Sequence, residues 1–382
     1  MKKITRKRRQ RDVRFGVLIR RGSSKGGGGN YSSSRNEESW LASDRWFYTK
    51  KKEGYNFSID SQKKVFISLP ETMNFSDQYE STIVYMTAIR KLSARNSSSR
   101  KFLRLASVKF DNLKFISSSA SLVLTAELSK WDDAKRQRLI PRTEEWDPDI
   151  LKRFQDLGFF NLFHNHQIKT TVNEVTPVVR VVRYIKENCG TSEQTGVLKE
   201  RIKQIVGKNI SKWTFLYSGL SEAITNVSHH AYPESTRTPV ADRNWYIGGA
   251  YNTDTTELKI VFFDQGIGIP KSLPTSEIGE RVLDFLSSLP AVDRKKDEVM
   301  LKAAVELTRT KTAETDRGKG LQDLLEFIKR RGDGYLSIIS SKGLYKFTAK
   351  NGKEHAKTAN FENPMYGTLI IWKVTLAPLN CN

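Results

Sequence analysis

Residues 257–270 read ELKIVFFDQGIGIP, a hydrophobic run that ends at Asp264 and continues into a turn with two glycines. The apolar residues before Asp264 predict a strand, so its carboxylate is expected at the end of a sheet. Gly266 and Gly268 can adopt backbone angles barred to other residues and allow a flat ligand to approach closely. A carboxylate in this position suits hydrogen bonding to the amino group of a purine. The alternative is a plain turn, because Asp-x-Gly-x-Gly also occurs by chance.

A second candidate motif lies upstream, in EAITNVSHHAY at residues 222–232. Glu222, Asn226 and His230 are spaced four residues apart, so they fall on one face of a predicted helix. A carboxamide is an oxygen ligand for Mg²⁺, and a Glu one turn earlier can orient or deprotonate an attacking hydroxyl or water. A solvent-exposed polar stripe is the alternative interpretation of the same spacing.

A third motif, TDRGKGL at residues 315–321, sets Gly318 and Gly320 directly before a predicted helix. Backbone N–H groups at the N-terminus of a helix bind phosphate, and the side chains of Arg317 and Lys319 add positive charge beside them. A flexible entry into the helix would explain the same residues without a ligand.

The order of these segments resembles the GHKL ATPase superfamily of gyrase, Hsp90, histidine kinases and the MutL mismatch-repair proteins. E-x-x-x-N is followed by D-x-G-x-G-I-P, by G-x-G before a helix, and by Gly367 and Thr368 on a final strand. The resemblance implies an α+β fold over residues 191–382, namely a GHKL two-layer α/β sandwich that binds ATP and Mg²⁺. It also implies that the segment 271–320 is the nucleotide lid.

The resemblance assigns a role to each candidate site residue. Glu222 would be the catalytic base and Asn226 the Mg²⁺ ligand, while Asp264 would hold the adenine. The other nucleotide-binding residues would be Gly266, Gly268, Arg317, Gly318, Lys319, Gly320 and Thr368.

Within the superfamily, EAITNVSHHAY is most similar to the anti-sigma-factor serine kinases, whose helix reads E-A-x-T-N-x-x-x-H-x-Y. By this resemblance, His229 and His230 are not phospho-acceptors. No dimerisation helix with an acceptor His is seen before the domain, which weighs against a histidine kinase. GHKL domains often work as dimers, so the resemblance leaves a homodimer open.

Residues 61–168 alternate strand-like and helix-like pieces, which predicts an α/β unit. FDNLKFISSSASLVLTAEL and DILKRFQDLGFFNLF look like the STAS fold of anti-sigma-factor antagonists. Ser118 and Ser119 match its serines, one of which would be the phospho-acceptor, but Ser117 stands where the family has Asp and Ala120 where it has Gly. The favoured interpretation is a strand-to-helix turn in which a serine caps the helix.

The net charge of +22 is distributed unevenly along the 382 residues. Residues 1–25 hold eleven Lys or Arg against one acid, and the first 60 residues contribute +10. This basic arm is a candidate contact for nucleic acid or another anionic surface, although a solvated tail is an equal alternative. Residues 1–60 are assigned to the arm and a Gly/Ser-rich linker, and residues 169–190 to a connector between the two domains.

The two cysteines match no metal spacing and fit a reducing compartment, and no apolar run approaches the ~20 residues that span a bilayer. Together with this composition, the GHKL and STAS resemblances imply a cytoplasmic regulatory protein of bacterial style, without membrane contact, that hydrolyses ATP and controls its STAS-like domain or a protein partner. A serine protein kinase of the anti-sigma type is one alternative, and an ATP-sensing scaffold that holds nucleic acid through the arm is another. The unusual fusion suggests stress signalling or antiviral defence.

Overall fold

The computed structural model describes residues 31–94, 101–131, 136, 143–163, 178–188, 195–207, 210–236, 238–273, 279–290, 293–306 and 320–376. The helices are α1 (Tyr31–Lys52), α2 (Tyr79–Ser93), α3 (Ser118–Ser129), α4 (Pro148–Leu157), α5 (Thr195–Val206), α6 (Trp213–Asn226), α7 (Ile269–Ser272), α8 (Gly279–Ser288), α9 (Asp297–Glu306) and α10 (Gly320–Arg331). The strands are β1 (Phe57–Ile59), β2 (Lys64–Ser68), β3 (Thr72–Met73), β4 (Arg104–Lys109), β5 (Phe115–Ile116), β6 (Val179–Asn188), β7 (Asn244–Asn252), β8 (Glu257–Asp264), β9 (Gly334–Lys350) and β10 (Lys353–Thr375).

A five-stranded antiparallel sheet organises the C-terminal half, with the strand order β6-β7-β8-β10-β9. The predicted strand ELKIVFFD is β8, and it lies at the centre of this sheet. Its last residue, Asp264, is directly opposite Trp245 of β7 on one side and Thr368 of β10 on the other. The expected position of the carboxylate at the end of a strand is therefore confirmed, and the structure adds that this strand is central.

The sheet is buried on both faces. Along β8, Val261 and Phe263 belong to a core shared with the N-terminal half, whereas Ile260 and Phe262 belong to a core shared with the C-terminal helices. Because successive side chains of a strand point to opposite faces, a strand covered on both sides needs an unbroken apolar run. That requirement explains the run IVFF at residues 260–263.

Two adjacent glycines of β7 let both layers approach the sheet closely. A Cβ on Gly248 would lie 3.6 Å from Leu122 of α3, and a Cβ on Gly249 would lie 3.5 Å from Ile202 of α5. Within the C-terminal half, helices pack on one face of the sheet. The second face of that sheet is covered by the N-terminal half.

The N-terminal half is mixed α/β, with a three-stranded sheet of order β1-β2-β4 and a two-stranded sheet of β3 and β5. The β2–β4 and β3–β5 pairs are parallel, and the β1–β2 pair is antiparallel. Helices α2 and α3 carry almost continuous buried surfaces. The coarse prediction of mixed α and β layers is therefore confirmed.

Two segments expected to lie outside the domains contribute to them instead. Helix α1 falls within the residues 1–60 assigned to arm and linker, and its Phe47 is fully buried in the N-terminal core. Strand β6 falls within the residues 169–190 assigned to the connector, yet it pairs with β7 as an edge strand of the main sheet. The sequence of neither segment shows a strong apolar periodicity. Their burial results instead from contacts with residues distant in the chain. Residues 1–30 lie outside the described residues.

A buried polar contact joins the two halves behind the end of β8. Arg90 of α2 makes two hydrogen bonds of 2.9 and 2.6 Å to the carboxylate of Glu127 of α3. The Gln265 side-chain amide donates to the same carboxylate at 2.8 Å. Nearby, the hydroxyls of Ser129 and Tyr246 are 2.7 Å apart in the same interface.

None of the described helices is both long enough and apolar enough to cross a membrane.

The Arg90–Glu127 pair yields a test of how the halves are held together. The Glu127 side chain is only 6% exposed, so Arg90→Leu should strand a buried carboxylate and lower the free energy of unfolding by about 3 kcal/mol. The double variant Arg90→Leu/Glu127→Gln should recover much of this loss, because Gln carries no charge and can still accept from Gln265. Chemical denaturation of the three proteins measures both effects. A double variant less stable than Arg90→Leu alone would contradict the interpretation.

Candidate functional site

The end of β8 holds a buried carboxylate in a set of hydrogen-bond donors. Asp264 is 3% exposed, and its Oδ1 accepts from the backbone N–H of Gly266 at 2.8 Å. Burial raises the pKa of the Asp264 carboxyl to about 6, although the N–H of Gly266 and both the hydroxyl and N–H of Thr368 act to lower it. The group therefore titrates close to neutral pH.

The residues around Asp264 include a serine that the sequence interpretation did not identify. Ser340 of β9 is fully buried; its Oγ lies 3.2 Å from the Thr368 hydroxyl and accepts from the Ile269 N–H at 2.9 Å. It also donates to the carbonyl of Gly367 at 3.1 Å. In YLSIISS this serine carries no local signal, because its partners lie about seventy residues upstream or on the next strand.

Each predicted glycine of the turn has a packing reason. A Cβ on Gly266 would lie 2.5 Å from the Cβ of Ala231, so the turn could not approach the end of the α6 segment with any larger residue. Gly268 has a φ of +85°, and a Cβ there would lie 2.7 Å from the Ser340 Oγ. Gly367 has a φ of +95°, and a Cβ added there would overlap the carbonyl oxygen of Asp264.

The helix that carries Glu222 and Asn226 runs directly into this turn. α6 ends at Asn226 and is followed by a π-helical turn, Val227–Ala231. The Ala231 carbonyl accepts from the Ile267 N–H at 2.9 Å, and the Tyr232 hydroxyl accepts from the Gln265 N–H at 3.2 Å. The two motifs found far apart in sequence are therefore hydrogen-bonded to each other.

Two members of the predicted polar stripe are hydrogen-bonded to each other. The Asn226 side-chain N–H donates to Glu222 Oε1 at 2.8 Å, as the spacing of four residues allows. His230, the third member, lies in the π-helical turn that follows α6. Burial raises the pKa of Glu222, the hydrogen bond from Asn226 lowers it, and the charge of Asp323 raises it further.

The start of α10 lies beside the same face of α6. A Cβ on Gly219 would lie 3.0 Å from the carbonyl oxygen of Asp323, so the two helices are in backbone contact there. The Ser218 hydroxyl also donates to the Asp323 carboxylate at 2.9 Å. Gly320, the first residue of α10, is therefore less than one helical turn from this contact.

Several predicted residues lie outside the described residues, or lie away from this site. Arg317, Gly318 and Lys319 are outside them, as are parts of the expected lid over 271–320. Of that segment, the structure shows α8 and α9 as helices.

The serine turn before α3 is built as a helix cap. Ser117 Oγ accepts from the Ala120 N–H at 3.2 Å, so the favoured N-cap interpretation is confirmed. Ser119 is 3% exposed and its hydroxyl lies 3.1 Å from that of Ser117. Ser118, the other predicted phospho-acceptor, is half-buried.

No model of a known protein family matches the chain, and a search of curated proteins finds no match.

The raised pKa of Asp264 predicts how stability depends on pH. A carboxyl whose pKa is higher in the folded state binds its proton more tightly there. Its protonation therefore stabilises the fold fully below pH 3.8, and this stabilisation is lost as the pH rises through about 6. Relative to Asp264→Asn, the wild-type chain should lose up to about 3 kcal/mol of unfolding free energy between pH 4 and pH 7. Denaturation of both proteins at several pH values measures this difference. A difference in unfolding free energy that stays constant across this pH range would contradict a raised pKa for the buried Asp264 carboxyl.

Proposed function

We propose that the chain is a Mg²⁺-dependent ATP-binding regulatory protein that hydrolyses ATP. The supporting observation is that three separate motifs are joined through α6. The turn after Asp264 packs on Ala231 at the end of the α6 segment, and α6 contacts the first turn of α10 through Gly219. The strand-end carboxylate, the Glu–Asn pair and the N-terminus of α10 are thereby linked by one helix.

The chemistry of the donor set fits an adenine at the strand end. An ionised Asp264 accepts hydrogen bonds only, which suits the exocyclic amino group of adenine. The Thr368 hydroxyl donates to the Asp264 carboxylate and the Ser340 hydroxyl donates to the Gly367 carbonyl, so both oxygens can still accept from a bridging water. Gly266 and Gly268 shape the turn by letting it pack closely on Ala231 and Ser340.

Residues of α6 suit the phosphate end of the same nucleotide. Asn226 offers a carboxamide oxygen, and Mg²⁺ bound there would complete its shell with phosphate oxygens and water. Among the described residues, no cluster of three or more His, Cys, Asp or Glu is arranged to hold a metal. In this proposal Glu222, whose pKa is raised by burial, orients the attacking water and accepts its proton.

A route from the site to the N-terminal half is present in the contacts of Gln265. This residue follows Asp264 directly, and its amide donates to Glu127 of α3, which is in turn held by Arg90. A change in the turn on nucleotide binding would therefore alter a buried contact with the half that resembles a STAS domain. The proposal accordingly includes control of that half, or of a protein partner, in a cytoplasmic setting.

Isosteric replacement of Glu222 tests the catalytic part of the proposal. Glu222→Gln removes the base but can still accept the Asn226 hydrogen bond, so it should lower ATP turnover by about 100-fold or more while ATP binding persists. The measurement follows the fate of the label from γ-labelled ATP with Mg²⁺ and determines nucleotide affinity separately. Glu234→Gln, an exposed position in the next segment, is the matched control and should turn over ATP normally.

The fate of the label separates the remaining possibilities. Free labelled phosphate that disappears in Glu222→Gln supports an ATPase. Label retained on Ser118 or Ser119 would instead make the protein a serine kinase, which would require Ser119 to leave its buried position. Normal ATP turnover in Glu222→Gln would refute Glu222 as the base. A wild-type chain that binds no ATP at any Mg²⁺ concentration would refute the whole assignment.

A further inference from the structure

A ribbon away from the candidate site carries an unusual number of lysines. It consists of residues 342–350 of β9 and 353–360 of β10, joined by a turn at Asn351 and Gly352 with φ values of 52° and 73°. Both angles are positive, which is the geometry of a tight type I′ hairpin. The ribbon contains five lysines against one acid, Glu354.

The lysines of this ribbon face one another across the strands. Lys350 is directly opposite Lys353, and Lys346 is directly opposite Lys357. Like charges in directly opposite positions destabilise a sheet. Burial lowers the pKa of the Lys346 ammonium, the charges of Lys357 and Lys373 lower it further, and the charge of Asp77 raises it.

A third lysine pair continues the same surface onto the main sheet. Lys373 of β10 is directly opposite Lys259 of β8, and its other neighbour is Tyr335 of β9. The Lys346 ammonium lies 4.1 Å from the centre of the Tyr335 ring, and the Lys373 ammonium lies 6.0 Å from it. Glu257 forms an ion pair with Lys373, so the excess positive charge of this group lies on the ribbon side.

The strand β9 must bend sharply to bring Lys346 over Tyr335. The two residues are eleven positions apart, which would separate them by about 36 Å in a straight strand. Ser341, with a φ of 53°, and the irregular pairing of β10 beside it mark the bend. The fold thus uses a strained position to gather the lysines.

The ribbon is fixed on one side and open on the other. Tyr345, Phe347 and Ala349 of β9 are buried in the core of the C-terminal helix layer. Residues 351–358, by contrast, are all exposed. Along 353–360, β10 pairs only with β9 among the described strands, because its pairing with β8 begins at Thr368.

We propose that this lysine ribbon binds duplex DNA through the phosphate backbone. Phosphates placed between opposing lysines would offset the repulsion within the pairs Lys350–Lys353 and Lys346–Lys357. The two pairs are four residues apart, about 13 Å along the ribbon, so a ligand that contacts both must carry several phosphates. The exposed residues 351–358 include no Phe, Tyr or Trp, so they lack the stacking surface that single strands require.

The site is separate from the ATP proposal, so the test is made without nucleotide. Full-length chain is titrated onto a short labelled duplex DNA at several salt concentrations, and fluorescence anisotropy gives the affinity. The triple variant Lys350→Gln, Lys353→Gln, Lys357→Gln should bind more weakly and reduce the slope of log affinity against log salt by about 2.7, since each lost phosphate contact removes about 0.9.

A control variant with the same loss of charge isolates the ribbon from net charge and from the basic arm. Lys51→Gln, Lys52→Gln, Lys109→Gln changes exposed lysines elsewhere and keeps residues 1–25, and it should leave the slope nearly unchanged. The ribbon variant should also be at least as stable as wild type in chemical denaturation, because it removes opposed charges. An unchanged slope in the ribbon variant would overturn the proposal. Equal wild-type affinity for duplex RNA, with the same loss in the variant, would overturn the assignment to DNA.

Discussion

Burial of the central strand β8 on both faces is the constraint on which the rest of the structure depends. Its apolar residues alternate between the core of the N-terminal half and the core of the C-terminal helices. A sheet covered on both faces places its polar groups at the strand ends, because a polar group in the middle would have to be buried without water. Asp264 lies at such an end. The candidate site therefore occupies the position where a doubly covered sheet first permits a carboxylate.

The same double coverage brings the N-terminal half close to that site. Gln265 points its amide to Glu127 on one side of the sheet, while Asp264, the preceding residue, is held by Gly266 and Thr368. Side chains of successive residues in extended backbone point to opposite faces, so the consecutive residues Asp264 and Gln265 reach the two sides of the sheet. A second junction between the halves is formed by the stacked rings of Tyr79 of α2 and Phe361 of β10, with centres 3.5 Å apart.

Positive charge is distributed in the fold in two ways. Part of it lies in the basic residues 1–25, outside the described residues, and part is built into the sheet as opposed lysines. Opposed charges cost stability in a way that a solvated tail does not. The pairing of the ribbon lysines therefore gives information that the net charge does not contain, because a charge total does not say which groups face one another.

Local features of the structure were determined by the sequence itself. The apolar run before Asp264, the stop of α4 at Gly158 with a φ of 86°, and the cap at Ser117 are each set by a few neighbouring residues. The pairing of Glu222 with Asn226 follows from helical spacing in the same way. These features could be read from the chain because capping, backbone freedom and periodicity act within one or two turns.

Only the tertiary structure decided the remainder. The burial of Phe47, the pairing of β6 with β7, the contacts of Ser340 and the bend that brings Lys346 to Tyr335 all join residues distant in sequence or folded back on one strand. The π-helical turn after Asn226 likewise depends on packing against Gly266. Such contacts arise from the register and coverage of the sheet, which are set by the free energy of the whole core and leave no mark in a short window of sequence.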